Sequence, residues 1–148
     1  MNDKTDDSTT GRKFNFKDDE KRYDFDDFRE IIAQLRAPGG CPWDIKQTHE
    51  SLKECLIEES GEVIAAIDNK DDENLCEELG DLLLQVVMHA QIASETGRFT
   101  MDDVIQGVCE KMIRRHPHVF GDVKVSSPEE SLELWKEIKK QEKSADKK

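Results

Sequence analysis

Two acidic clusters in this chain lie inside stretches whose apolar residues recur at the spacing of a helix. The first reads EESGE at residues 58–62, and the second reads EELGD at residues 77–81, 19 residues further on. Each contains two acids, a spacer, a glycine and a third acid. Because residues three and four apart share one side of a helix, each cluster predicts carboxylates that project together from one helical face.

The position of each acid relative to the apolar stripe of its helix predicts whether it faces the core. On the first helix Glu59 falls inside the stripe, Glu62 lies at its edge, and Glu58 lies one step further round. On the second helix Glu78 lies at the border of the stripe, and Asp81 lies on the same flank. The residues taken to define the stripes are Leu52, Leu56, Val63 and Ile67 on the first helix, and Leu75, Leu79, Leu82 and Val86 on the second.

Carboxylates that turn inward on neighbouring helices need a positive group between them. An ionised carboxylate buried without a partner costs several kcal/mol. The compensating charge can come from basic side chains, from protons or from a divalent cation. Oxygen ligands favour a hard ion such as magnesium, manganese or calcium, and no histidine lies three residues after a glutamate, as a di-iron bundle site would require. Four acids are expected to be ordinary surface residues: Glu54, Glu58, Glu73 and Glu77.

The fold class follows from helical periodicity, which appears in five segments, with no convincing strand. We predict an all-α fold, an antiparallel bundle of about five helices. The run LLLQVVM at residues 82–88 is apolar nearly all the way round, so we expect oligomerisation to complete the bundle. Gln85 and His89 continue the acidic flank of this helix. The predicted helices run from Asp24 to Pro38, from Thr48 to about Asn69, from Asp71 or Asp72 to about Thr96, from Thr100 to Arg115, and onward from Ser127, with CPWDIKQ at residues 41–47 as a loop.

Composition divides the chain into one domain with a polar segment at each end. We expect a disordered acidic tail over residues 1–22, one domain over 23–140 and a charged tail over 141–148. The net charge of −12 and the scattered basic residues argue against binding of a nucleic acid polymer. No apolar run approaches the ~20 residues that span a bilayer, so no membrane association is expected. The four cysteines form no C-x-x-C pair, and no leader opens the chain, so we expect a cytoplasmic protein.

Four sequence blocks, taken together with the acids, resemble a known family. The arrangement E-E-x-x-E on one helix and E-x-x-D on the next resembles the all-α nucleoside triphosphate pyrophosphohydrolases, and the flanking blocks resemble the MazG type. The similarity covers roughly Phe25 to Ile138. The four blocks are GCPWD at 40–44, QTHESL at 47–52, ELGDLLLQVV at 78–87 and RRHPHVFGD at 114–122.

The resemblance implies a helical bundle, a homodimer or a larger oligomer, that binds Mg²⁺ with Mn²⁺ as a possible substitute. It implies hydrolysis of a nucleoside triphosphate to the monophosphate and pyrophosphate, through attack of a water molecule on the α-phosphorus. The residues carried over as metal ligands are Glu59, Glu62, Glu78 and Asp81. The residues carried over as catalytic are Glu58, Glu59 and Glu62, with Glu58 as a supporting ligand or a water-orienting base. The residues carried over as substrate-binding are Lys111, Arg115, Trp135 and Lys139.

Two alternatives remain open from the sequence. One is a different enzyme on the same scaffold, such as a dUTP or dCTP pyrophosphohydrolase or a phosphoribosyl-ATP pyrophosphohydrolase. The other is a helical interaction protein whose acids bind a regulatory cation or a basic partner without catalysis. Gly61 also departs from the larger residue that relatives often carry, and this leaves the shape of the substrate pocket open.

Overall fold

A computed structural model describes residues 22–146, and these residues form helices and no strand. They belong to two compact units, which divide after Thr100. The all-α prediction is confirmed, and the five predicted helices are joined by two short ones that the sequence did not indicate. The helices are α1 (Phe25–Arg36), α2 (Pro42–Lys46), α3 (Lys53–Asp68), α4 (Asp72–Glu95), α5 (Met101–Arg115), α6 (Pro117–Phe120) and α7 (Pro128–Asp146).

A capping box at its start and two glycines after its end set the limits of helix α1. The Asp24 side chain accepts a hydrogen bond from the Asp27 backbone N–H, and the Asp27 side chain accepts one from Asp24, which makes a capping box. After the helix, Gly39 adopts a φ of +86°, which favours glycine. A Cβ on Gly40 would collide with the backbone of Leu35, so both glycines are needed for the chain to turn back against the end of α1.

Helices α3 and α4 form an antiparallel hairpin that holds both acidic clusters. They are joined by only three residues, in which Lys70 has a φ of +54°, and they pack against each other along their length. Asp71 caps α4 by accepting a hydrogen bond from the Asn74 backbone N–H at 3.1 Å. At the other end Gly97, with a φ of +68°, stops α4 as predicted. The hairpin fixes the facing direction of the two clusters.

The start of α3 differs from the prediction that Thr48 is its N-cap. The backbone N–H of Thr48 donates to Ser51 Oγ, and the backbone N–H of Ser51 donates back to Thr48 Oγ1. This reciprocal pair closes a turn over residues 48–52, and the regular helix begins after it, at Lys53. Thr48 therefore caps the turn that precedes α3 rather than the helix itself.

The core of the first unit lies on a different side of the hairpin from the predicted stripes. Leu52 is buried, but Leu56, Ile67, Leu79 and Val86 are all exposed, so the assignment of these four residues to the core was wrong. The physical reason is that α4 is apolar on more than one face, and α1 and α3 cover only part of it. The buried apolar residues of the unit are Ile32, Leu52, Ala66, Val87, Met88, Ala90, Ile92 and Ala93.

A single arginine ties three chain segments of the first unit together. The Arg36 side chain is only 8% exposed, and its Nε and Nη2 donate to the two carboxylate oxygens of Glu95, at 2.9 and 2.8 Å. Its Nη1 donates to the backbone oxygens of Asp44 and Gln47. The hydrogen bond to Arg36 lowers the pKa of Glu95. Arg36 therefore joins the end of α1, the end of α2 and the end of α4.

The second unit contains α5, α6 and α7, and α5 contacts both of the others. Ser127 caps α7 as predicted, because its Oγ accepts from the backbone N–H of Glu130 at 3.1 Å. Glu142, near the end of α7, accepts from Arg114 Nε at 2.7 Å and from Arg115 Nη2 at 2.9 Å. Residues 141–146, which the sequence assigned to a charged tail, belong to α7. The predicted tail over residues 1–22 lies outside the described residues, apart from Arg22.

No helix among residues 22–146 combines the length and the apolar character needed to cross a bilayer. The longest, α4, contains both an acidic cluster and the apolar run.

Arg36→Ala should destabilise the protein by about 3 kcal/mol, since it leaves Glu95 and two backbone oxygens without their donor. Arg36→Lys should recover only part of the loss, because one ammonium cannot make the same forked contacts. The control is Gln34→Ala on the same helix, where the 3.3 Å hydrogen bond to Glu30 is exposed and is worth about 1 kcal/mol. Chemical denaturation of the variants measures the differences, and equal losses at Arg36 and Gln34 would contradict the role of Arg36.

Glu142→Gln should lower stability near neutral pH and lose its effect in acid. Hydrogen bonds from Arg115 and then Arg114 lower the pKa of Glu142 to about 2. A carboxyl whose folded pKa lies below its unfolded value stabilises the fold above the unfolded value, near pH 4.5, and loses this contribution as the pH falls towards 2. Thermal unfolding of wild type and variant from pH 7 to pH 3 should show their unfolding temperatures converging. Glu133→Gln, at an exposed acid on the same helix, is the control, and a constant gap for Glu142→Gln would rule out the ion pair as its cause.

Candidate functional site

The hairpin brings three of the four predicted metal ligands together. Glu59 projects from α3, and Glu78 and Asp81 project from α4 one turn apart. One carboxylate oxygen from each of these residues lies within 4.8 Å of the corresponding oxygens of the other two. The two helices therefore place these three acids close to one another, while Glu62 lies outside this group.

Two of these carboxylates place oxygens where the protein gives them no partner. Glu78 is 8% exposed, and its Oε1 is buried without a hydrogen bond among the described residues. Oε2 of the half-buried Glu59 is also buried without a hydrogen bond among the described residues. Buried carboxylate oxygens normally find a donor, so two such oxygens in one cluster are unusual. An all-carboxylate set with unsatisfied oxygens fits a hard divalent cation.

The electrostatics of the cluster agree with this reading. Burial, followed by the neighbouring carboxyls of Glu62 and Asp81, raises the pKa of Glu78 to about 7. Burial is also the main cause that raises the pKa of Glu59, with added repulsion from Asp81, Glu62 and Glu58. Without a cation, the cluster therefore holds protons more tightly than ordinary acids do.

Glu58 and Glu62 occupy a more open position than the other acids. Both are exposed, and both line a shallow groove of about 300 Å³ between α3 and α4, which Glu78 also lines. Asn74 and Ala65 complete the groove together with Gly61. A Cβ on Gly61 would meet nothing within 4 Å, so local packing does not require glycine there, and its absence of a side chain leaves the groove wider. The sequence did not identify Asn74 as part of the site.

The four acids that were expected at the surface are all exposed. They are Glu54, Glu58, Glu73 and Glu77. Glu77 and Glu78 are neighbours in the chain, yet one faces solvent and the other is buried. This contrast shows that helical phase, rather than local composition, selects the acids of the cluster.

Three of the four predicted substrate-binding residues lie together in the second unit. Lys139 Nζ lies 4.2 Å from the centre of the Trp135 ring, and the Arg115 guanidinium lies 5.8 Å from it. Lys111 is exposed. The sequence missed Glu142, which engages Arg115, because a carboxylate within a polar, charged helix end gives no signal of its tertiary partner.

The comparison with protein-family models gives a match over the hairpin and the segment that follows it. Residues 47–120 match the MazG nucleotide pyrophosphohydrolase domain. This range includes both acidic clusters, and it ends with the last residue of the HPHVF segment.

Curated relatives extend the similarity beyond this range. A nucleoside triphosphate pyrophosphohydrolase/pyrophosphatase MazG of Thermotoga maritima is 60% identical over 119 residues, which are 80% of this chain and 45% of that protein. The uncharacterized protein YabN of Bacillus subtilis is 57% identical over 122 residues, which are 82% of this chain and 25% of that protein. The chain thus spans less than half the length of each of these relatives.

A solved structure shares the fold over most of its own length. The crystal structure of a mazG-related protein from Thermotoga maritima superimposes with a TM-score of 0.62 at 39% sequence identity, covering 75% of this chain and 95% of that one. The matched domain and the solved structure point to the same family. This chain belongs to the MazG nucleotide pyrophosphohydrolase family.

Proposed function

We propose that this protein hydrolyses nucleoside triphosphates to the monophosphate and pyrophosphate with the help of Mg²⁺. The observation that carries the proposal is the convergence of Glu59, Glu78 and Asp81, with buried oxygens that no donor among residues 22–146 satisfies. The name of the Thermotoga maritima relative, a nucleoside triphosphate pyrophosphohydrolase, supports the same reaction. The family implies Mg²⁺, and the carboxylate set suits it because this ion prefers oxygen ligands and substrate phosphates.

In this proposal Glu59, Glu78 and Asp81 hold the ion, and Glu62 assists from the edge of the groove. Mn²⁺ is a possible substitute, since it accepts the same ligand type. Bound there, the cation would neutralise charge on the phosphate oxygens and on the pyrophosphate leaving group. Phosphoryl chemistry depends mainly on such neutralisation and on positioning, so the protein needs no nucleophilic side chain.

The acids also have a role towards water. Glu58, exposed on the same wall of the groove as Glu62, is suited to orient a water molecule for in-line attack on the α-phosphorus. Glu59 and Glu62 lie one turn apart on the same helix and complete the catalytic set that the family resemblance implies. The proton released by the water can pass to one of these carboxylates.

The basic and aromatic residues of the second unit are proposed to bind the substrate. Lys111 and Arg115 would contact phosphate oxygens, and Trp135 with Lys139 would contact the nucleoside or a phosphate. Glu142 holds Arg115 through two hydrogen bonds, at 2.9 and 3.3 Å. The ion pair therefore keeps the guanidinium in a defined orientation. A phosphate that binds to Arg115 would either displace Glu142 from the guanidinium or bind beside it.

We further propose that the chain associates with a second copy of itself through the hairpin. Large apolar side chains on α3 and α4 remain exposed, at fractions from 39% to 72%. Patches of this kind usually mark an interaction site in a soluble protein. The side chains concerned are Leu56, Ile57, Ile64, Ile67, Leu79, Leu83 and Val86.

A cytoplasmic location is also proposed, on the basis of the thiols. All four cysteines are free, and Cys76 and Cys109 are exposed. Unpaired exposed thiols persist in a reducing compartment.

Glu78→Gln should separate metal binding from folding. In Mg²⁺-free buffer above pH 7 the unfolding temperature should stay the same or rise, because the variant removes a buried like charge. Affinity for Mg²⁺ should fall at least about tenfold, because removal of a residue that only supports a metal ligand can already cause a loss of this size. Most hydrolytic activity should disappear as well. Thermal unfolding measures the stability, and calorimetry measures the Mg²⁺ affinity. Glu77→Gln, one residue away and exposed, should change neither, and equal effects of both variants would contradict the proposed site.

The reaction itself is tested by product analysis on a panel of ribo- and deoxyribonucleoside triphosphates, with and without Mg²⁺. The expected products are the monophosphate and pyrophosphate in equal amounts, and only with the cation. Orthophosphate as the first product would contradict attack at the α-phosphorus. Confinement of activity to dUTP, dCTP or phosphoribosyl-ATP would assign one of the related specificities, and cation binding with no nucleotide binding would favour an interaction protein.

A further inference from the structure

Three buried polar atoms on one face of α4 have no hydrogen-bond partner in the described part of the chain. They are Glu78 Oε1, Gln85 Oε1 and His89 Nε2. Their spacings of seven and four residues place them on the same side of the helix, two turns and then one turn apart. Glu78 belongs to the acidic cluster, but that cluster does not explain Gln85, which is 7% exposed, or His89.

His89 is engaged at its other ring nitrogen by a second histidine. Its Nδ1 lies 2.7 Å from Nδ1 of His49, and the two rings are parallel within 3°. Nε2 of His49 lies 2.8 Å from Nη2 of Arg98. Arg98 in turn donates from Nε to Thr96 Oγ1 at 2.8 Å, so its guanidinium is held at the end of α4.

These contacts determine which ring nitrogens carry protons. A guanidinium only donates, so Nε2 of His49 must accept and has no proton. Neutral His49 then carries its proton on Nδ1 and donates it to Nδ1 of His89. Nδ1 of His89 is therefore unprotonated, and the proton of neutral His89 lies on Nε2, the buried atom that faces no partner.

We propose that Arg98, His49 and His89 form a relay that orients the side-chain amide of Gln85 for substrate binding. His89 Nε2–H donates to Gln85 Oε1 through one water molecule, and this joins two buried atoms, one turn apart, that have no partner among the described residues. The amide nitrogen of Gln85 then faces the acidic cluster, where it donates to a phosphate oxygen of the bound nucleotide. Gln85 is in this way a binding residue, and the two histidines and Arg98 are positioning residues. The inference rests on the proposed function for the identity of the ligand only.

The electrostatics of the pair support a neutral His89. Burial, followed by the proximity of His49, lowers the pKa of His89. A second proton on either ring would place two N–H groups, or an N–H and the guanidinium, against each other. The relay therefore holds one tautomer rather than a mixture. This matters because the two ends of a glutamine amide have the same shape and differ only in hydrogen bonding.

The tautomers are tested first, without reference to any activity. Long-range ¹H–¹⁵N spectra of the histidine rings at pH 7, assigned with His49→Phe and His89→Phe, should show His49 protonated at Nδ1 and His89 at Nε2. Arg98→Ala changes only an exposed residue and should leave the fold intact while it converts His89 to a mixture of tautomers. Protonation of His89 at Nδ1, or at both nitrogens, in the wild type would overturn the relay.

The role of Gln85 is tested by a double-mutant cycle in the binding of a nonhydrolysable nucleoside triphosphate with Mg²⁺. Gln85→Met removes the amide at constant size, and His49→Phe keeps the stacked ring while it removes the donor to His89. Each should raise Kd about tenfold, and the double variant should bind no more weakly than either one, because both act through the same amide. Gln106→Met, at an exposed glutamine on α5, is the control and should leave Kd unchanged.

The outcomes separate the relay from the proposed function. Losses that multiply to about a hundredfold in the double variant, or an unchanged Kd for Gln85→Met, would overturn the relay while leaving the nucleotide as ligand. Failure of the wild type to bind any nucleotide would overturn the proposed function together with the role of Gln85, and the ring spectra would still decide the tautomers. Thermal unfolding identifies a variant that has lost its fold, and Arg98→Ala then replaces His49→Phe in the cycle.

Discussion

The burial of like charges between α3 and α4 is the constraint on which the rest of the structure depends. Glu78 is almost fully buried, and Glu59 and Asp81 direct oxygens to within 4.8 Å of it. Such a cluster opposes folding, as the raised pKa of Glu78 indicates. The hairpin can form only if other contacts offset this cost. The three-residue connection after α3, the Asp71 cap and the Arg36 contacts provide this offset, and they act at the ends of the helices rather than beside the acids.

The separation between supporting contacts and the acidic cluster has a chemical consequence. Arg36 donates to Glu95 at the far end of α4 and to two backbone oxygens at the end of α2. Its positive charge is therefore unavailable to the cluster. A basic side chain placed beside Glu59 and Glu78 would neutralise them permanently and exclude a cation. Within the part of the chain that the structure describes, Glu59 Oε2 and Glu78 Oε1 have no donor. The residual repulsion is the property that would make a divalent ion bind.

The sequence predicted the acidic cluster better than it predicted the core. Glu59, Glu78 and Asp81 could be placed because the 3.6-residue period fixes the angle of every side chain around a helix. The same period identifies an apolar face but not what covers it, and for this reason Leu79 and Val86 were assigned to a core in which they do not lie. Helix ends with capping signals were predicted closely at Asp24, Asp71 and Ser127. The partners of Arg36, Arg115 and His89 were not predictable, because ion pairs and ring contacts between distant segments leave no periodic signal.

Helix α4 therefore presents an acidic side and an exposed apolar side, and their arrangement links assembly to chemistry. Glu78, Asp81 and Gln85 lie on one side, and Leu79 and Leu83 are exposed on another, while the more buried second half of the helix contributes Val87 and Met88 to the core. A second copy of the chain that covered the exposed face would contribute hydrophobic free energy to the same helix that carries the electrostatic cost. Association and cation binding would then stabilise α4 from different sides. A chain whose functional carboxylates destabilise its own hairpin has a physical reason to leave an apolar face for a partner.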